Sequence, residues 1–62
     1  MAARNIFRVM PEGDHWIVRK DGKVISTHQE KNSAIEAANK LANKQISSQV
    51  IVYRPDGSIQ IA

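Results

Sequence analysis

The stretch Ser33-Ala34-Ile35-Glu36-Ala37-Ala38-Asn39-Lys40-Leu41-Ala42-Asn43-Lys44 decides the fold, because here the hydrophobic period changes. Ala34, Ile35, Ala38, Leu41 and Ala42 recur at the i, i+4, i+7, i+8 spacing that lines one helical face. Glu36, Asn39, Lys40, Asn43 and Lys44 fall mainly on the other side. The helical pattern holds between Gln29 and Gln45, with Glu30 near its start and Lys40 and Lys44 near its end, as the helix dipole favours. Thr27 and Asn32 both carry side chains suited to capping the first turn, and the choice between them stays open. The stripe is narrow and rich in alanine, so this helix is expected to lie close against a sheet.

Upstream of the helix the period is that of strands. Ile6-Phe7-Arg8-Val9-Met10 ends at Pro11 and the turn-forming Glu12-Gly13-Asp14, and His15-Trp16-Ile17-Val18-Arg19-Lys20 follows at once. Asp21-Gly22 is a strong hairpin signal, because a primed turn needs positive φ at its centre and these residues tolerate it. Lys23-Val24-Ile25-Ser26-Thr27 is the returning strand. Downstream, Gln49-Val50-Ile51-Val52-Tyr53-Arg54, a turn at Pro55-Asp56-Gly57, and Ser58-Ile59-Gln60-Ile61 form a second hairpin. The fold class is α+β, ordered β-β-β-α-β-β, with one amphipathic helix packed on one face of a mainly antiparallel sheet. The likeness between the stretches around Asp21-Gly22 and Asp56-Gly57 reflects two similar turns rather than a duplicated unit.

A chain of 62 residues has room for one domain, spanning 1–62. A domain of this size buries only about 60% of the surface its unfolded chain exposes. Without a staple such a core rarely supplies more than roughly 3–5 kcal/mol. Cysteine is absent, which excludes disulfides and thiolate metal sites and fits a reducing compartment. No hydrophobic run is long enough for a signal peptide or a membrane span, and Ala2 stands where myristoylation needs glycine. A cytoplasmic setting is expected. Nine Lys and Arg against six Asp and Glu give a net charge of +3, spread along the chain; this permits an anionic partner without requiring one.

Alternation divides each strand between two faces. Phe7, Val9, Trp16, Val18, Ile25, Val50 and Val52 are assigned to the helix side. Ile59 and Ile61 join them if the last hairpin closes with a two-residue turn; a three-residue Pro-Asp-Gly turn with a bulge places them beside Tyr53 instead. The opposite face carries Ile6, Arg8, Met10, Ile17, Arg19, Ile51 and Tyr53, which is more apolar than a plain solvated face. That face is expected to be covered by a second copy or another partner, or to bind something; the interaction residues are Arg8, Ile17, Arg19, Ile51 and Tyr53. A homodimer, or some other protein partner, is the first expectation.

Chemistry is sparse. His15 and His28 are the only histidines, and in an extended chain Asp14 and His15 point to opposite sides, so Asp14 is not expected to orient His15. Ser26, Thr27 and Ser33 lie near His28 in sequence, but no nucleophile, base and orienter are specified together. Two histidines without cysteine or a carboxylate at ligand spacing make no metal site, and the three glycines are isolated turn residues that cradle no phosphate. No cofactor is implied. An enzyme is not expected, since a ligand site of about 300 Å³ or more is hard to enclose with one sheet and one helix. Trp16 reads as a core anchor more readily than as a stacking residue. The functional alternative is nucleic-acid binding through Arg8, Arg19, Tyr53 and Arg54, which combine phosphate contacts with one stacking platform.

Val9-Met10-Pro11, Trp16-Ile17-Val18, a glycine turn, the Ala34-Ile35…Ala38…Leu41-Ala42 helix, and Val50-Ile51-Val52 with Asp56-Gly57-Ser58-Ile59 together resemble the small bacterial domain-of-unknown-function family number 2188. The likeness spans nearly the whole chain. Where that family commonly opens its helix with Thr, this sequence has Glu30, so the family's usual cap is not carried over. The resemblance implies a prokaryotic or phage-like setting and transfers no catalytic or binding residue.

Overall fold

The computed structural model describes residues 5–60. The strands are β1 (Asn5–Glu12), β2 (His15–Lys20), β3 (Lys23–His28), β4 (Ser48–Tyr53) and β5 (Ile59–Gln60), with the helix α1 (Lys31–Asn43) between β3 and β4. They form one five-stranded sheet in the order β3-β2-β1-β4-β5. The β1–β2, β2–β3 and β4–β5 pairs are antiparallel, whereas β4 returns beside β1 in parallel. A parallel return needs a crossover, and the helix supplies it.

Each hairpin follows from its turn chemistry. Gly13 alone has positive φ (61°) in the two-residue loop Gly13-Asp14, the pattern of a type II′ turn. Asp21 (φ 52°) and Gly22 (φ 82°) are both left-handed, as a type I′ turn demands, and they close Lys20 onto Lys23. At the C-terminal hairpin only Gly57 is left-handed, the Gly57 amide donates to the Arg54 carbonyl, and the Arg54 amide donates to the Ser58 carbonyl. Pro55-Asp56-Gly57 is therefore a three-residue loop ending in a bulge glycine. Asp56 braces it by accepting from the Ser58 amide and hydroxyl at 2.9 and 2.7 Å. This register pairs Tyr53 with Ile59 and sends Ile59 to the face opposite the helix; Ile61 lies outside the described residues.

The core sits between the helix and one sheet face. Phe7, Val9, Val18, Ala34 and Ala38 are buried there, with Trp16, Ile35, Leu41, Ala42, Val50 and Val52 packed around them. Ala34 and Ala38 are fully covered, as the alanine-rich stripe leads one to expect: small side chains let the helix backbone approach the strands. Trp16 also carries Lys31 over its ring at 5.4 Å, which gives a cation at the helix start a partner other than the unfavourable dipole.

Three expectations are corrected. Ile25 does not face the helix as assigned. A bulge between Val18 and Arg19 shifts the β2–β3 register, so Ser26 pairs with Val18 in the place that strict counting from the turn gives Ile25, and Ile25 is left 42% exposed. Neither Thr27 nor Asn32 caps the helix: Thr27 lies in β3, Asn32 lies inside the helix, and the N-cap is Glu30, whose side chain makes no capping bond. Asp14 does orient His15, its carboxylate meeting His15 Nδ1 at 3.1 Å, because Asp14 is in a turn where strand alternation does not apply.

Candidate functional site

The registers place the outer-face residues in two adjacent rows. Arg19 on β2 stands directly opposite Arg8 on β1, and Arg8 stands beside Ile51 on β4. In the neighbouring row Ile17 pairs with Met10, and Tyr53 pairs with Ile59. One step past the Val9–Val52 pair, Met10 comes alongside Tyr53. A row centred on two arginines thus runs next to an apolar, aromatic one.

Arg8, Met10, Arg19, Gly22 and Tyr53 line an open depression of about 310 Å³ in this face. Arg19 is held in place there, with one terminal nitrogen donating to the Gly22 carbonyl at 3.0 Å. Its Nε is buried and has no acceptor. Among the described residues the one ion pair is His15–Asp14, at the β1–β2 turn, so neither arginine of the depression has a carboxylate partner. Like charges directly opposite on neighbouring strands destabilise a sheet. The pair is therefore hard to explain as a device for stability.

The expected interaction residues all lie on this face, but they do not contribute equally. Arg8, Arg19, Ile51 and Tyr53 are half-buried and reach solvent. Ile17 is only 4% exposed, flanked by Met10 on one side and Thr27 on the other, so it supports the layer and offers little surface of its own. Arg54 is exposed at the start of the last turn and is not part of the depression. Gly22 and Val24 belong to the outer face without having been expected there, and Ile59 joins that face as the three-residue Pro-Asp-Gly alternative requires. Gly22 contributes through its carbonyl, which no side-chain reading sees. Val24 pairs with Arg19, so alternation counted from that partner finds it.

A second, smaller depression of about 220 Å³ lies along β4 and β5, lined by Gln49, Val50, Ile51, Val52, Ile59 and Gln60. On the helix side, the half-buried His28 has Nε2 2.9 Å from the Ser26 hydroxyl. Two residues apart in β3, they share a face by alternation, and the bulge turns that face toward the helix. Neither depression touches this pair. Asp14 and Asp56 are both held below the usual carboxylate range, Asp14 mainly by its hydrogen bond from His15 and Asp56 mainly by those from Ser58. Both are exposed turn residues, and neither pairs with Arg8 or Arg19. No described helix is long and apolar enough to cross a membrane.

Residues 7–62 match the family described as "Uncharacterized protein conserved in bacteria (DUF2188)", and the chain belongs to it. No curated protein and no solved structure matches the chain.

Proposed function

We propose, from membership of a family without an assigned activity, that this chain is a non-enzymatic binding module whose outer sheet face takes up a nucleic-acid strand. One observation carries the reading: Arg8 and Arg19 stand side by side, without a carboxylate partner among the described residues, next to Tyr53, in an open depression. Guanidinium groups suit phosphate oxygens, and an aromatic ring beside them suits an unstacked base. The depression is shallow and open, which favours a chain laid across the sheet over a small substrate enclosed for chemistry. The absence of cysteine supports a cytoplasmic setting.

The test is a titration of labelled single-stranded DNA and RNA at low and moderate salt. Each phosphate contact to a single strand contributes about −0.7 to the slope of log affinity against log salt. The proposal expects binding that weakens with salt and is lost in Arg8→Gln with Arg19→Gln. Binding that is insensitive to salt, or unchanged in the double variant, contradicts it.

A second copy of the chain is the alternative partner, favoured by Ile59. This residue is 55% exposed next to half-buried Tyr53 and Ile51, at the side of the outer face away from the arginines. Association there adds burial that a small core lacks. Concentration-dependent sedimentation tests it, and a strict monomer at high micromolar concentration rules it out.

A further inference from the structure

Opposed arginines cost stability, yet here one of them is anchored in position. Their Cβ atoms, as direct cross-strand neighbours, are about 4.5–5.5 Å apart. Arg19 is tied to the Gly22 carbonyl through one nitrogen, while its buried Nε lacks an acceptor. Among the described residues no side chain forms an ion pair with either guanidinium. The open depression above them has Met10 and Tyr53 as its remaining side-chain walls. Two guanidinium forks side by side present more donors than the two oxygens of one carboxylate can satisfy. A tetrahedral phosphate group has enough oxygens to meet both forks.

From this we infer that the Arg8–Arg19 pair is a binding site for a phosphate-class oxyanion, whether free phosphate or the phosphodiester of a nucleic acid. The inference rests on the outer face as the working surface but does not require that the partner be a nucleic acid. It also predicts a sign that a structural role does not: removing Arg8 relieves the repulsion and weakens the ligand. Stability without the anion and affinity for it move in opposite directions.

The test is thermal unfolding of the full chain in sodium phosphate and in sodium chloride, matched in ionic strength and pH. The proteins compared are wild type, Arg8→Gln, Arg19→Gln and Lys40→Gln, the last on the exposed helix surface. Phosphate stabilises many folds by exclusion from their surfaces, so the decisive quantity is the part of its effect that depends on the arginines. Expected is a phosphate-specific rise in Tm for wild type and Lys40→Gln, lost in Arg8→Gln, with apparent affinity weakened at least about tenfold for one charge-assisted bond removed. In chloride, Arg8→Gln melts no lower than wild type. A rise that persists in Arg8→Gln, or an Arg8→Gln protein that melts lower in chloride, overturns the inference. Should Arg19→Gln fail to fold, Arg8→Gln alone still decides. A parallel arm uses a labelled single-stranded oligonucleotide. Arginine-dependent phosphate binding without oligonucleotide binding supports this site and removes the nucleic-acid reading. Oligonucleotide binding that Arg8→Gln weakens, without a free-phosphate effect, supports the site as one for phosphodiesters. Oligonucleotide binding unchanged in Arg8→Gln and without an arginine-dependent phosphate effect removes it.

Discussion

The two faces of one sheet are built from alternate residues of the same strands, and they differ in what completes them. On the helix side Phe7, Val9 and Val18 are 2%, 0% and 0% exposed, closed off by Ala34 and Ala38. On the other side Arg8 and Arg19 interrupt the apolar layer near its centre, flanked by Ile17, Met10, Ile51 and Tyr53. The first face is finished within the chain. The second has its charge concentrated where a purely stabilising surface has least use for it, and the proposed ligand site rests on that contrast.

The sharpest way to break the comparison is to substitute matched aromatic residues on the two faces. Phe7→Ala should cost about 3–5 kcal/mol, as buried aromatic truncations do. That is about the whole stability expected of so small a core, so circular dichroism should find the variant largely unfolded. Tyr53→Asp should keep a cooperative melt close to wild type and abolish oligonucleotide binding, since it places a carboxylate beside the arginines. If Tyr53→Asp unfolds the chain instead, the outer face is a second core and the assignment of faces fails. Arg8→Gln sharpens the contrast on a smaller scale. Removing one of two opposed like charges should raise stability in urea by about 0.2–1 kcal/mol.

The smallest effect belongs to the turn that sets the edge of the outer face. Asp56 accepts from Ser58 within the loop that sends Ile59 to that face, and those bonds hold its pKa below the ordinary carboxylate value. A depressed carboxylate contributes stability above its unfolded pKa and loses it as pH falls through the folded value. Amide signals of Ser58 and Ile59 should therefore change as pH falls through the lowered Asp56 pKa, with the core unmoved. Equal and simultaneous changes on both faces would mean that the hairpin is not locally braced.

Much of this contrast was legible in the sequence, because alternation and helical period are local. The stripe from Ala34 to Ala42, the Asp21-Gly22 turn, and the placing of Arg8, Arg19 and Tyr53 on one face all follow from spacing. What escaped depends on ladder defects and long-range pairing. The bulge that displaces Ile25 leaves no mark in residue type, and one inserted residue defeats counting from the turn. The direct opposition of Arg8 and Arg19 depends on the Gly13-Asp14 loop being two residues long. The parallel return of β4 beside β1 joins segments about forty residues apart in sequence, beyond any local pattern. Arg54 adjoins Tyr53 in sequence, but its place at a turn keeps it out of the depression.

The central claim is that one face holds the fold and the other meets the ligand. A ¹⁵N-resolved NMR titration with a short single-stranded oligonucleotide tests it most directly, following backbone amides together with the arginine Nε–H signals. The account predicts shifts concentrated at Arg8, Met10, Arg19, Gly22 and Tyr53, including the Arg19 Nε–H, with Glu36 and Lys40 on the exposed helix surface unmoved. Shifts centred on the helix, or none at the two arginines, would contradict it.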